Sequence, residues 1–232
     1  MSEIFENVKK LRENIAEAAE KSGRRAEDII LVAATKMNGA DRVRDAIAAG
    51  IDVSGENRVQ ELLDKYEQNA YEGAPLHFIG NLQTNKVKYL IGKVSLIQSV
   101  DSMKLAREIG RLAVKAGIVQ DILIEINIGG EESKGGIPPE ELDAFIDEVS
   151  KIEGVKIRGL MTIPPILGAN NKNIIYFEKM HKLFIDIKAK KYDNISMDFL
   201  SMDMSDDYYD AILCGANMVR VGTGIFGRRN YT

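Results

Sequence analysis

The chain has 232 residues, 45% of them apolar and 28% charged, an ordinary globular composition that can bury a core without disulfide or metal staples. Its 31 basic and 35 acidic side chains leave a net charge of −4, so no basic excess exists to displace counterions from a nucleic acid. The lone cysteine, Cys214, excludes an internal disulfide framework and points to a reducing cytoplasm. No apolar run approaches the roughly 20 residues of a membrane span, and the acidic, amphipathic opening MSEIFENVKK is unlike a secretory signal.

Ile4, Val8, Leu11, Ile15 and Ala18 recur at helical spacing and predict an opening helix over 3–21. Residues 28–34, DIILVAA, form a short, continuous, β-branched run, the pattern of a parallel strand covered on both faces. A helix near 40–49 ends at Gly50, a strand follows at 52–54, and a helix at 57–70. Strands at 76–79 and 96–100 flank a helix over 84–90. A helix at 102–116 closes at Gly117, and a strand occupies 122–128. Pro138 opens the next helix, where a missing N–H costs little. The strand at 157–163, the helix at 172–190, a short strand near 199–200, a helix at 205–213 and a strand at 218–221 complete the series. No Pro/Gly/Ser-rich linker divides the chain, so residues 1–232 read as one domain. Eight βα units favour a (β/α)8 TIM barrel with an extra N-terminal helix over a doubly wound sheet, and no G-x-G-x-x-G follows the first strand.

In such a barrel, chemistry sits at the C-terminal ends of the strands. The turn Gly222-Thr223-Gly224 after the eighth strand offers backbone N–H groups and a hydroxyl suited to a phosphate. Ser201 and Ser205 after the seventh strand could add hydroxyl donors. Lys36 ends the first strand, which neighbours the eighth in a closed barrel. A lysine amine facing a phosphate turn is the arrangement that pyridoxal 5′-phosphate (PLP) requires. Arg220 admits two readings: an outward arginine packed on a helix, or an inward one near the pyridine nitrogen, where a permanent cation disfavours ring protonation. His77 reads as a hydrogen-bonded core histidine and His181 as a surface residue. Cys214 reads as buried and inert, and Phe177, Met180, Phe184 and Ile187 as core. Lys86, Lys88 and Lys93 read as a solvated face, and no His/Cys spacing suggests a metal site.

These residues resemble the pyridoxal phosphate homeostasis (PLP-binding) protein family, which is related to the N-terminal barrel of alanine racemase. The resemblance runs nearly end to end: LVAATKMN at 31–38, GENRVQEL at 55–62, HFIGNLQTNKVKYL at 77–90, IQSVDS at 97–102, IEINIGGEESKGGI at 124–137, IRGLMTIPP at 157–165, LSMDMSDDYYDAI at 200–212 and GANMVRVGTGIFG at 215–227. It implies that Lys36 forms the Schiff base with PLP, that Ser201, Gly222 and Thr223 contact the phosphate, and that Arg220 faces the pyridine nitrogen. It also implies an asparagine, Asn57, close to the cofactor, and motif lysines Lys86 and Lys134 near the mouth. One departure is Asp203, where the family usually carries glycine in S-M-G-M-S. Its carboxylate is expected to point to solvent, so Asp203→Gly should leave PLP affinity nearly unchanged.

The implied role is non-catalytic: intracellular PLP (vitamin B6) homeostasis by a cytoplasmic monomer. PLP is the small-molecule partner, PLP-dependent apoenzymes are prospective recipients, and no nucleic acid or membrane is involved. The alternative is a PLP-dependent amino-acid racemase. Two-base racemisation needs a proton donor on each face of the substrate, and in alanine racemase one comes from an added domain of the partner subunit. The chain ends five residues after Gly227, so that domain is not expected. A Schiff-base aldolase would use the same lysine and phosphate turn, but the end-to-end motif match argues against it.

Overall fold

A computed structural model describes residues 2–131, 134–165, 173–190, 192, 194–202 and 207–227. Eight strands, β1 (Ile30–Ala34), β2 (Val53–Glu56), β3 (Leu76–Phe78), β4 (Leu96–Val100), β5 (Gln120–Glu125), β6 (Val155–Thr162), β7 (Ile195–Met202) and β8 (Met218–Val221), close into a parallel barrel in sequence order. The seam pairs β8 with β1, with Val32 opposite Arg220 and Ala33 opposite Val221. The helices are α1 (Glu3–Lys21), α2 (Ala40–Ala48), α3 (Val59–Tyr66), α4 (Met103–Lys115), α5 (Leu142–Val149), α6 (Ile174–Ala189), α7 (Tyr208–Leu213) and α8 (Thr223–Phe226). The expected (β/α)8 barrel with an added N-terminal helix is therefore the observed fold.

Strand alternation sorts the apolar residues into two cores. Val32, Val53, Leu96, Leu123, Met161 and Met218, from six strands, fill the barrel interior. Their sequence neighbours, such as Leu31, Ala33, Ile97, Ile122, Leu160 and Val219, face outward into the larger core beneath the helices. Ile4, Val8, Leu11 and Ile15 give α1 its buried stripe, each contributing roughly 1.5–3 kcal/mol of apolar burial. Asn7 Nδ2 of α1 also donates to the carbonyl of Ile225 in α8 (3.0 Å), bracing that short helix.

Several element limits differ from the sequence reading, each for a local reason. β1 starts at Ile30 because Ala26–Asp28 form a 3₁₀ turn, in which the Asp28 carboxylate accepts from the Arg25 N–H (3.0 Å). β2 extends through Gly55 and Glu56, which the sequence assigned to the loop. The helix expected over 57–70 is only Val59–Tyr66, and the one over 84–90 is a 3₁₀ helix over Thr84–Tyr89. β7 spans eight residues instead of two. Its first half carries Asp198, whose carboxylate accepts from Arg158 Nε (2.7 Å); Arg158 also pairs with Asp121. The β6–β7 register shifts beside Gly159, where φ is +151° and a Cβ would stand 1.8 Å from the Phe199 carbonyl oxygen. Only glycine fits there.

Candidate functional site

One layer above the apolar plug, the barrel interior turns polar. Gln98, Ser201 and Arg220 are buried there, on β4, β7 and β8, with His77 on β3. Arg220 points inward, which decides between its two sequence readings. Its Nη1 donates to Ser201 Oγ and its Nη2 to the Thr162 carbonyl (2.8 Å). Ser201 Oγ donates to Gln98 Oε1 (2.8 Å). The Gln98 amide nitrogen in turn donates to His77 Nδ1 (3.0 Å), which leaves the ring proton on Nε2. Burial pushes His77 down to about 3, so it is a neutral, hydrogen-bonded core residue, as its sequence position suggested. The chain of contacts fixes both the direction and the height of the guanidinium.

Lys36 follows β1 in a turn and is half-buried. Asn38 organises that turn, with its N–H donating to the Thr35 carbonyl (3.1 Å) and its Nδ2 to the Lys36 carbonyl (3.1 Å). Met37 takes φ +62°, a left-handed conformation uncommon for a residue with a long side chain. Across the seam, Gly222 precedes α8, and Thr223 and Gly224 form its first turn. First-turn N–H groups have no carbonyl acceptor within their own helix. Arg42 ties the two sides of the seam. Its Nε donates to Asn38 Oδ1 (3.1 Å), while Nη2 donates to the Phe226 carbonyl that ends α8.

Asn57 lies just past β2 with its backbone pressed against Gly80, where a Cβ would stand 2.1 Å from the Asn57 carbonyl oxygen. The Asn57 Oδ1 atom is buried without a hydrogen-bond partner among the described residues, the mark of a polar group held ready for something else. Among the six site residues chosen from sequence, Lys36, Gly222 and Thr223 meet at the β1–β8 seam, and Arg220 lies below them in the barrel. Ser201 ends β7 with its hydroxyl buried between Arg220 and Gln98. Ser205 and Asp203 lie outside the described residues.

Sequence reasoning passed over Gln98, Thr162, Asp101 and Glu125. Glu125 ends β5 facing inward, and burial, then the Asp101 charge, push its carboxyl up to about 7 against the pull of Arg220. Asp101 is itself raised by burial. Both carboxyls border Gly135, where an added Cβ would lie 3.6 Å from Glu125 Oε1 and 3.4 Å from Asp101 Oδ2. Parity was the available signal. In LIQSV and ILIE, Gln98 and Glu125 lie two residues beyond the inward-facing Leu96 and Leu123, so they share the interior face. Of the motif lysines, Lys134 is held by the Pro164 carbonyl (2.8 Å) and Glu131 (2.6 Å), whereas Lys86 is exposed beside the Tyr89 ring. Two smaller expectations change. His181 is half-buried, because Gly215 packs on its ring, and Cys214 is half-buried with its thiol raised by desolvation.

A barrel whose lysine and glycine turn meet at the seam, above an inward arginine, defines the alanine racemase N-terminal class, and that domain family matches residues 7–230. A relative from Aquifex aeolicus, "Pyridoxal phosphate homeostasis protein", is 45% identical over 97% of this chain and 98% of its own. Among solved structures, an unknown protein from Bifidobacterium adolescentis superposes with a TM-score of 0.88 at 36% identity, covering 96% of this chain and 94% of its own. PipY of Synechococcus elongatus PCC7942, solved with PLP bound, gives 0.79 at 31% identity over 92% of this chain and all of its own. The chain belongs to the pyridoxal phosphate homeostasis protein family.

Proposed function

We propose that this chain binds PLP at the mouth of its barrel and serves cellular PLP homeostasis, holding the cofactor without turning over a substrate. Lys36 Nζ would hold PLP through its aldehyde, the Schiff-base role that the resemblance implies. The N–H groups of the Gly222–Thr223 turn receive the phosphate, Asn57 lies beside the cofactor, and Arg220 faces the pyridine nitrogen, with Ser201 acting through Arg220. PLP supplies an electrophilic aldehyde on an electron-withdrawing ring.

The residues present fit that group. An amine, an anion-binding turn, an unpartnered buried amide oxygen at Asn57 and a permanent cation are the donor set it needs. The observation that carries the reading is the inward, doubly held Arg220, on the strand paired with that of Lys36. A guanidinium stays charged at any physiological pH, so it disfavours a protonated ring nitrogen and weakens the ring as an electron sink. That supports holding over carbanion chemistry, as do the relatives' names. In this reading the protein acts in the cytoplasm as a monomer, with PLP-dependent apoenzymes as prospective recipients.

The test is optical. PLP added to the protein should produce visible absorbance, and borohydride should fix the label on Lys36. Retention of that absorbance in Lys36→Ala would remove the assignment. Racemase turnover above background with a panel of amino acids would favour the enzymatic alternative.

A further inference from the structure

A buried charge cluster on the outer side of the barrel grips the turn that carries Lys36. Glu56 is fully buried on β2, and Lys65 of α3 is nearly so. Lys65 Nζ sits 2.6 Å from Glu56 Oε1 and 2.7 Å from Glu61 Oε1, and donates to the Thr35 carbonyl at 2.8 Å. Glu61 in turn accepts from the Met37 N–H. The two peptide groups that flank Lys36 are thus held by neighbouring side chains of one helix, one through its carbonyl and one through its N–H. Tyr71 donates to Glu56 Oε1 (3.0 Å), as does the Thr35 hydroxyl, so the cluster also holds the residue before the lysine by its side chain.

An isolated ion in such a place would be costly, and burial does raise the Glu56 carboxyl, with Lys65 opposing. A well-packed apolar substitute could fill the same space. What apolar groups could not do is hold the two peptides that flank Lys36, the second of which leads into Met37, whose φ of +62° needs its surroundings to maintain it.

We propose that Glu61 and Lys65 are positioning residues that fix the Lys36 amine at the barrel mouth. The proposal rests on Lys36 being the attachment point for PLP. Glu61 is half-buried and its loss leaves the core apolar packing intact, so Glu61→Ala is the informative variant. Glu61→Gln keeps an oxygen to accept from Met37. Pyridoxine 5′-phosphate, which has the ring and phosphate but no aldehyde, separates attachment from general binding.

Glu61→Ala should weaken PLP binding about tenfold, the effect of one charge-assisted hydrogen bond, and slow borohydride trapping on Lys36 in step. Affinity for pyridoxine 5′-phosphate should be unchanged, and Glu61→Gln should recover most of the loss. Equal losses for PLP and pyridoxine 5′-phosphate, or no loss for PLP, would overturn the positioning role while leaving Lys36 as attachment point. Visible absorbance surviving in Lys36→Ala would instead overturn the attachment reading, and the positioning role with it.

Discussion

Replacing Glu125 by glutamine tests the electrostatics of the barrel mouth with a nearly isosteric change. The Glu125 residue is only 8% exposed, and no described residue donates a hydrogen bond to its carboxylate. Its pKa rises from an ordinary 4.5 to about 7. At about 1.4 kcal/mol per pH unit, that gap corresponds to about 3 kcal/mol. The direction follows from proton counting. Below pH 4.5 the carboxyl is protonated in both folded and unfolded chains, and it contributes nothing. Between 4.5 and about 7 the folded protein keeps a proton that the unfolded chain has lost, so stability falls as pH rises. Above about 7 the full cost is present. Glu125→Gln has no such titration. Urea unfolding of PLP-free protein at pH 5, 6, 7 and 8 should therefore show the variant gaining on the parent as pH rises, to about 3 kcal/mol at pH 8. A difference independent of pH, or one that grows toward acid, would refute the reasoning.

His77 works with the opposite sign. Its folded pKa of about 3 lies below the ordinary 6.5, so its contribution is complete above about pH 6.5 and is lost as pH falls toward 3, a slope that unfolding curves of His77→Gln should lack. Gly80→Ala would place a Cβ 2.1 Å from the Asn57 carbonyl oxygen; thermal melts should show a loss of about 2 kcal/mol or more, and PLP titration a weaker complex. Arg220→Lys keeps a positive charge but not the fork that holds Ser201 and Thr162 together, so PLP affinity should fall about tenfold and the bound absorbance band should shift.

The barrel was legible because buried parallel strands are written as unbroken apolar runs, as in Leu31–Ala34 and Ile122–Ile124. β7 was not. Its sequence, ISMDFLSM, alternates, because Asp198 serves the ion cluster with Arg158 and Ser201 serves Arg220. The proposed site residues Lys36, Gly222 and Thr223 could be placed together from position, since the strand ends after the first and eighth strands must meet in a closed ring. The orientation of Arg220 could not be read directly, because it depends on the partners that three other strands and their ends supply. The Glu56–Lys65–Glu61 cluster was hidden for a different reason. The sequence reading ended the second strand at 54, whereas β2 runs on through Gly55 and Glu56 and turns the Glu56 carboxylate outward to α3.

The seam between β1 and β8 joins the earliest and latest strands of the barrel, and the amine and the anion-binding turn lie on opposite sides of it. On the proposed assignment neither half can hold the cofactor alone, so the capacity to bind would arise only when the ring shuts. A molecule attached to Lys36 and to the Gly222 turn is then a clasp across the closure. Ligand at a hundred times its dissociation constant adds about 2.7 kcal/mol to the closed state. The cell's supply of PLP would thereby be registered in how firmly this barrel stays shut, a signal that needs no catalytic step to be read.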